Sequence, residues 1–200
     1  MRHKLVFATN NKHKIAEVKA LLDAVGEEVS QKYEILSLSE IGCNEDIPET
    51  ADTFLGNARQ KAYYVKEHYG YDCFADDSGL EVVALNMEPG VHSARYASEE
   101  GHDSEANIAK LMRNMQGVED RRAQFRTMIC LLLDGTEHDF EGICKGKITV
   151  VRSGDRGFGY DPVFSPEGYD KTFAEMPLEV KNTIGHRGKA VAQLVKFLSE

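Results

Sequence analysis

The sequence predicts an α/β protein with a mixed β-sheet, and three patterns indicate this class. Apolar runs of strand length alternate with helical patterns in the first half of the chain. Two long strand-like runs then meet at Asp134 and Gly135, a pair that is typical of hairpin turns. The final residues return to a helical spacing of apolar side chains. This order predicts a mixed sheet with flanking helices and a cleft between two lobes.

The first elements follow from short local patterns. Residues 4–8 (KLVFA) are apolar enough for a buried strand. Residues 12–26 carry apolar side chains on one helical stripe, and Gly26 suits the end of that helix. Residues 33–38 (YEILSL) predict the second strand.

A longer helix is predicted over residues 50–69. Its inward-facing side chains recur at helical spacing, and either Thr50 or Asp52 suits the N-cap. Strand-like runs at residues 72–75 and 80–85 follow, separated by the sequence DDSG, which predicts a tight turn that exposes its acidic side chains.

The second half of the chain adds a helix, a hairpin and a terminal helix. Residues 103–115 predict the helix, residues 122–135 and 136–151 the two long strands, and residues 185–200 the terminal helix. The chain of 200 residues has no linker or internal repeat, so we expect one domain over residues 1–200, formed of two lobes.

Composition narrows the range of partners. The net charge is 24 − 33 = −9, which argues against binding of long nucleic acids through a general positive field. The longest apolar run, MICLLL at residues 128–133, is too short to span a membrane, and the N-terminus suits a first strand better than a signal peptide. The four cysteines lack zinc-site spacing, so we expect buried thiols and a cytoplasmic location.

Two polar clusters suit the binding of phosphate groups. Residues 9–14 (TNNKHK) lie between the first strand and the first helix, where available backbone N–H groups and two lysines favour an anion. A capped turn with exposed lysines is the alternative. Further along, Asn57 and Lys61 share a helical face close in sequence to Glu49. A solvent-exposed helix with a capping carboxylate explains this second cluster equally well.

The adjacent carboxylates Asp76 and Asp77 repel each other, so their position between two apolar runs needs a reason. A hard cation held between them would relieve the repulsion. An Asx turn, in which either carboxylate accepts backbone N–H groups, is the alternative. The apolar surroundings favour the cation.

A glycine-rich loop and a group of cations indicate a site for a nucleotide base. Residues 152–168 include glycines that permit close approach, and Phe158 and Tyr160 offer flat rings for stacking. A surface hairpin loop is the alternative. Lys181 and residues 186–189 (HRGK) lie before the last helix, where the macrodipole disfavours cations. An anionic or carbonyl-bearing ligand explains these cations better than a structural role does.

In order and spacing, these clusters resemble the inosine triphosphate pyrophosphatase family, whose members act on noncanonical purine nucleoside triphosphates such as dITP and XTP. Asn10 stands where many relatives have glycine, while Thr9, Asn11 and Lys14 stay in register. The matching segments are 7-FATNNKHKIAEV-18, 49-ETADTFLGNARQKA-62, 75-ADDSGLEV-82, 89-PGVHSARYA-97, 157-GFGYDPVF-164, 172-TFAEM-176 and 181-KNTIGHRGKA-190. They span nearly the whole chain.

The resemblance implies an elongated mixed β-sheet with flanking helices and two lobes enclosing an active-site cleft. It also implies a homodimer, a Mg²⁺ requirement, and hydrolysis of a purine nucleoside triphosphate between its α- and β-phosphates. Asp77 would be the general base and, with Glu49, would bind Mg²⁺. The residues implied to contact the nucleotide are Thr9, Asn10, Asn11, Lys12, His13, Lys14, Asn57, Lys61, Ser78, Phe158, Gly159, Tyr160, Asp161, Lys181, His186 and Arg187. The sequence alone does not separate Asp76 from Asp77 as the base.

Base selection would follow from hydrogen-bond pairing. Arg187 or His186 would donate to a 6-keto oxygen, whereas the amino group of adenine would leave two buried donors facing each other. Guanine keeps the 6-keto group, so rejection of GTP requires crowding near its 2-amino group, at Phe158 or the glycine-rich loop.

Three other functions remain open at this point. A phosphomonoesterase with an aspartyl nucleophile would release orthophosphate, but the spacing in DDSG does not fit its D-x-D-G motif. A pyrophosphatase for modified pyrimidine nucleotides is the second. The third is a nucleotide sensor without turnover, against which the intact set of Glu49, Asp76 and Asp77 argues.

Overall fold

The computed structural model describes residues 2–25, 27–98 and 101–200. Its strands are β1 His3–Phe7, β2 Tyr33–Ser37, β3 Asp72–Val82, β4 Arg122–Leu133, β5 Thr136–Ile148 and β6 Phe164–Pro166. They form one six-stranded sheet in the order β2-β1-β3-β4-β5-β6. β1 runs parallel to both β2 and β3, whereas β6 runs antiparallel to β5. The predicted α/β class with a mixed sheet is confirmed.

The helices of the described residues agree with the long helical patterns in the sequence. They are α1 Lys12–Val25, α2 Glu27–Lys32, α3 Phe54–Tyr69, α4 Ser104–Asn114, α5 Leu178–Ile184 and α6 His186–Ser199. α2, α5 and β6 were not predicted, because elements this short do not show a readable periodicity. Gly26, the predicted end of the first helix, lies outside the described residues.

α3 begins later than the sequence indicated, because its N-cap is Thr53 rather than Thr50 or Asp52. The Thr53 side chain accepts a hydrogen bond from the backbone N–H of Gly56 at 3.0 Å. The preceding loop is instead tied back onto the helix, since the backbone N–H of Ala51 donates to Asn57 Oδ1 at 2.9 Å. This loop carries Glu49 to the side of α3.

The DDSG segment lies inside a continuous strand, so the predicted tight turn is wrong. β1 pairs with β3 only over Asp72–Phe74, and the last bond on that side runs from Ala8 N–H to the Phe74 carbonyl at 2.8 Å. β3 continues beyond the end of β1. There the Asp76 carbonyl accepts a hydrogen bond from Lys61 Nζ at 2.7 Å in place of a strand partner. Asp76 and Asp77 therefore lie on the part of β3 that extends past the end of β1.

The chain divides into two compact units, with two clusters of buried apolar side chains in unit 1 and one in unit 2 among the described residues. Unit 1 comprises Met1–Asp77, Thr127–Gly142 and Arg187–Glu200, and unit 2 comprises Ser78–Arg126 and Ile143–His186. In unit 1 the rings of Phe7 and Phe74 stack at 4.6 Å. In unit 2 Phe125 packs against Phe164 and Phe173, at 4.7 and 5.9 Å between ring centroids. Across the described ranges, none of the helices combines the length and apolar character that a membrane span requires.

Candidate active site

Asp76 is the centre of a buried charge network in unit 1. Lys14 Nζ lies 3.2 Å from its carboxylate, and Arg187 Nε lies 3.3 Å from its Oδ2 atom. Arg187 Nη1 in turn bonds the Glu17 carboxylate. Burial alone would raise the pKa of Asp76, but the charges of Lys14, Arg187 and Lys61 outweigh it and hold that pKa well below its usual range. Asp76 therefore stays negatively charged, and its carboxylate forms ion pairs with Lys14 and Arg187.

Asp77 has the opposite character. Its Oδ2 atom accepts a hydrogen bond from Asn57 Nδ2 at 3.0 Å. Burial raises the pKa of Asp77 and the charge of Glu49 raises it further, while Lys61, Lys14 and the bond from Asn57 lower it by less. A carboxylate with a raised pKa is a stronger proton acceptor. The pKa values of Asp76 and Asp77 are therefore shifted in opposite directions, although the sequence alone left either residue as the possible base.

Lys61 connects the loop before α3 to β3. Its Nζ atom donates to Glu49 Oε2 at 2.9 Å and to the Asp76 carbonyl at 2.7 Å. Burial lowers the pKa of Lys61, but the charges of Asp77, Glu49 and Asp76 together raise it above its usual value. The Glu49 side chain stays 37% exposed, so a ligand has access to it.

The pair formed by Glu49 and Asp77 fits a hard divalent cation. Both residues supply carboxylate oxygens, the ligand type that Mg²⁺ prefers. The negative charge of Glu49 contributes to the raised pKa of Asp77, as expected for two carboxylates that repel each other. A cation held by both carboxylates would remove that cost.

The segment over residues 9–14 is a capped helix start. Asn11 Oδ1 accepts hydrogen bonds from the backbone N–H groups of His13 and Lys14, at 3.0 and 3.2 Å. The Asn11 N–H donates to Thr9 Oγ1 at 3.2 Å. The backbone N–H groups of Asn11, His13 and Lys14, which we expected to be available for phosphate, are therefore bonded by side chains of the segment. The exposed side chains of the segment are those of Asn10, Asn11, Lys12 and His13.

Asp161 anchors the glycine-rich loop in unit 2. Its Oδ2 atom accepts hydrogen bonds from the Phe158 N–H at 2.9 Å and from Lys181 Nζ at 2.6 Å. Lys181 Nζ also lies 4.9 Å from the centroid of the Phe158 ring. Gly157 has a φ of +72°, and a Cβ there would lie 2.0 Å from Asp161 Oδ2, so only glycine fits. The loop presents Phe158 and Gly159 half-buried.

Two ring side chains predicted for the site, those of Tyr160 and His186, pack against the core of unit 2. Tyr160 is 4% exposed and its hydroxyl donates to the Ser93 carbonyl at 2.7 Å. It therefore offers no open face, and the prediction that a base stacks on it is wrong. The buried His186 ring stacks on Phe125, with centroids 4.6 Å apart. Ser78 is half-buried in β3.

The cations near the C-terminus are compensated within the protein. Lys181 pairs with Asp161, and Arg187 pairs with Asp76 and Glu17. Buried carboxylates distant in sequence therefore give Lys181 and Arg187 a structural role that the local sequence does not reveal. Sequence reasoning also gave Glu17 no role. Its signal was its place three residues after Lys14, on the same helical face.

Two further groups of side chains in the described residues have the residue types that could hold a metal ion. They are His3 with Asp72 and Asp134, and Cys130 with Glu137 and Asp139. A cation of the protein already pairs with each group. Lys66 Nζ lies 2.7 Å from Asp72, and Arg59 Nη2 lies 2.7 and 2.9 Å from Glu137 and Asp139. An ion pair therefore accounts for each group, as it also does in part for Glu49, whose carboxylate pairs with Lys61.

The mixed six-stranded sheet with flanking helices places this chain in the class of α/β proteins. Residues 5–197 match the family model of the Ham1 family. A dITP/XTP pyrophosphatase from Flavobacterium johnsoniae is 57% identical over 98% of each chain. The Staphylococcus aureus Ham1 protein has a TM-score of 0.85 at 39% identity, over 98% of this chain and 97% of its own. A HAM1 protein from Coxiella burnetii has a TM-score of 0.87 at 34% identity, over 98% of each. The chain belongs to the Ham1 family, which confirms the resemblance found in the sequence.

Proposed function

We propose that this protein is a nucleoside triphosphate pyrophosphatase that hydrolyses ITP, dITP and XTP to the monophosphate and pyrophosphate, and so removes them from the nucleotide pool. The observation that carries the proposal is the pair of adjacent buried carboxylates on β3: Asp76 pairs with Lys14 and Arg187, whereas Asp77 accepts a hydrogen bond from Asn57. Family membership and the dITP/XTP pyrophosphatase from Flavobacterium johnsoniae support the choice of substrate.

The charge balance of the cluster in unit 1 supports a requirement for Mg²⁺. The cations are Lys14, Lys61 and Arg187, and the carboxylates are those of Glu17, Glu49, Asp76 and Asp77. Their sum is 3 − 4 = −1, and a triphosphate adds about four negative charges. Glu49 and Asp77 are the proposed Mg²⁺ ligands. When bound, Mg²⁺ supplies Lewis-acid neutralisation of the phosphate charge.

In the proposed reaction Asp77 accepts a proton from the attacking water. The hydrogen bond from Asn57 Nδ2 to Asp77 Oδ2, at 3.0 Å, fixes the orientation of this carboxylate. A positioned base of this kind contributes roughly 10²–10⁴-fold to the rate. Lys14 and Lys61, whose Nζ atoms lie beside Asp76, donate to the phosphate oxygens.

For the base, the proposal uses the half-buried ring of Phe158 as a stacking surface. Lys181 and Asp161 hold this ring and its loop in place. Arg187 or His186 is the proposed donor to the 6-keto oxygen, which gives the preference over adenine.

A substrate panel tests the proposed function. Purified protein with Mg²⁺ is given ITP, XTP, dITP, ATP, GTP and modified pyrimidine triphosphates, and pyrophosphate and orthophosphate are measured separately. We expect pyrophosphate from the first three substrates and a preference over ATP of about 10²-fold or more. Orthophosphate as the product would support a phosphomonoesterase, and no turnover of any nucleotide would support a sensor. Asp77→Asn is the inactive control.

The proposal also includes a cytoplasmic homodimer. Burial of all four cysteines suits a reducing compartment. The family resemblance motivates the dimer, and exposed apolar side chains at Val83 and Met87 are available for contacts. Light scattering during gel filtration tests it, with an expected mass twice that of the 22.3 kDa chain.

A further inference from the structure

The Asn57 side chain joins two segments that carry the proposed Mg²⁺ ligands. It lies on α3 and is 3% exposed. Its Oδ1 atom accepts the backbone N–H of Ala51 at 2.9 Å, and its Nδ2 atom donates to Asp77 Oδ2 at 3.0 Å. The two partners fix the orientation of the amide, because a flipped amide would face a donor with a donor and an acceptor with an acceptor.

One turn further along α3, Lys61 also connects the loop to the strand, but it bonds a side chain of the loop and the backbone of the strand. Asn57 joins the backbone of the loop at Ala51 to the side chain of Asp77. Lys61 joins the side chain of Glu49 to the backbone of Asp76. Two side chains one turn apart on α3 therefore connect the loop that carries Glu49 to the strand that carries Asp77. A helix is a rigid support for such a connection.

We propose that Asn57 is a positioning residue that aligns the Glu49 and Asp77 carboxylates for one divalent cation, and that it does not contact the nucleotide. This inference rests on the proposed function for its catalytic consequence only. It replaces the nucleotide contact that the resemblance implied for Asn57, because both ends of the amide are engaged by the protein. Partners that orient metal ligands typically change metal affinity or activity by about 10- to 100-fold when removed.

The chain offers a matched control on the same helix. Gln60 Oε1 accepts the backbone N–H of Thr50 at 2.9 Å, and its Nε2 atom donates to Thr50 Oγ1 at 2.9 Å. Gln60→Ala therefore loosens the same loop from the same helix without removing a bond to Asp77. A general loss of loop anchoring would affect Gln60→Ala and Asn57→Ala alike.

The first experiment measures Mn²⁺ binding to the nucleotide-free protein by calorimetry, with Mn²⁺ as a probe for a site of oxygen ligands. We expect the Kd for Mn²⁺ to rise about 10- to 100-fold in Asn57→Ala and to change less than about twofold in Gln60→Ala. Equal effects in the two variants, or no effect in either, overturn the inference. This readout does not depend on the substrate, so it stands even if ITP hydrolysis is absent from the wild-type protein.

The second experiment separates kcat from KM for ITP in the presence of Mg²⁺. We expect Asn57→Ala to lower kcat by about 10- to 100-fold and to change KM by less than about threefold. A KM that rises tenfold at constant kcat would instead show a direct nucleotide contact. Asn57→Asp keeps the size of the side chain and the acceptor for Ala51, but it replaces the bond to Asp77 with repulsion. Its kcat should fall at least as far as that of Asn57→Ala, and wild-type kcat in Asn57→Asp overturns the inference.

Discussion

Arg187 Nε lies 3.3 Å from Asp76 Oδ2, although 111 positions separate the two residues in the sequence. This contact joins the start of α6 to β3 and buries both charges. As a consequence, the adjacent residues Asp76 and Asp77 have different environments and different expected roles. The carboxylate of Asp76 pairs with cations of the protein, which lower its pKa. The pKa of Asp77 is raised, so Asp77 is the stronger base of the two. The two carboxylates should therefore respond in opposite ways to the same substitution.

Asp76→Asn is expected to destabilise the protein strongly. The amide would leave Lys14 and Arg187 buried with one carboxylate fewer. Removing one partner of a buried ion pair costs about 3–5 kcal/mol. Urea unfolding at neutral pH measures the effect. The control is Asp120→Asn, which removes an exposed pair with Arg122 and should change stability little. Equal losses in the two variants would contradict the anchoring role of Asp76.

Asp77→Asn is expected to lower turnover strongly without a loss of stability. The raised pKa of Asp77 means that the charged form is disfavoured in the folded state, so at pH 7 this carboxylate reduces stability. An amide removes that cost and still accepts the bond from Asn57. We expect kcat for ITP to fall by about 10²–10⁴-fold or more, with an unchanged or higher urea midpoint. Substantial remaining pyrophosphate release would reject Asp77 as the base.

Local patterns in the sequence predicted the long elements of the fold but misplaced the acidic pair. A run that contains DDSG reads as a turn, because acidic residues, serine and glycine are common in turns. It forms a strand because Lys14, Lys61 and Arg187 neutralise Asp76 from three distant parts of the chain. Local propensity carries no information about such partners. The same holds for Thr53, since three polar residues before α3 suit a cap almost equally.

The sequence indicated which residues are candidates for the site better than it indicated what each side chain contacts. Residue type and order in the sequence indicated Asp77, Lys61 and Asp161 as candidates. Burial then changed the interpretation of Tyr160, whose hydroxyl is bonded to Ser93 and whose ring lies in the core. Sequence spacing reveals which side chains share a helix or strand, but it does not reveal which of them face the interior of another element.

Asp161→Asn is expected to weaken nucleotide binding more than catalysis. The substitution removes the charged acceptor that holds Lys181 and the Phe158 backbone, so the stacking surface loses its support. A hydrogen bond to a charged group contributes about 1.5–3 kcal/mol, which corresponds to a rise in KM for ITP of roughly 10- to 100-fold.

Steady-state kinetics of Asp161→Asn with ITP and Mg²⁺ provide the measurement, and kcat should change less than KM. Arg152→Ala is the matched control, because Arg152 belongs to the same loop but forms an exposed pair with Glu105. Its KM should stay within about twofold of the wild-type value. A similar rise in both variants would show that the loop is sensitive to any change and that Asp161 has no special role.

Acid stability gives a further prediction, centred on Glu45. Its Oε1 atom accepts hydrogen bonds from the hydroxyls of Tyr69 and Tyr64, at 2.7 and 3.0 Å. The bond from Tyr69 is the main reason that the pKa of Glu45 falls from 4.5 to about 2. Because the folded state has the lower pKa, this group stabilises the protein above pH 4.5, and its contribution is lost as the pH falls from 4.5 towards 2.

Glu45→Gln should remove that part of the pH dependence, because an amide has no carboxyl proton to bind in this range. Urea unfolding at about pH 7, 5, 4 and 3 compares the two proteins. The free energy of unfolding should differ most between wild type and Glu45→Gln above pH 5, and the two curves should converge towards pH 3. Tyr69→Phe should reduce the slope in the same way, since it removes the main donor, and Glu45→Gln should then add little. Parallel curves for wild type and Glu45→Gln would mean that solvent screens these hydrogen bonds and that the lowered pKa of Glu45 does not contribute to folding.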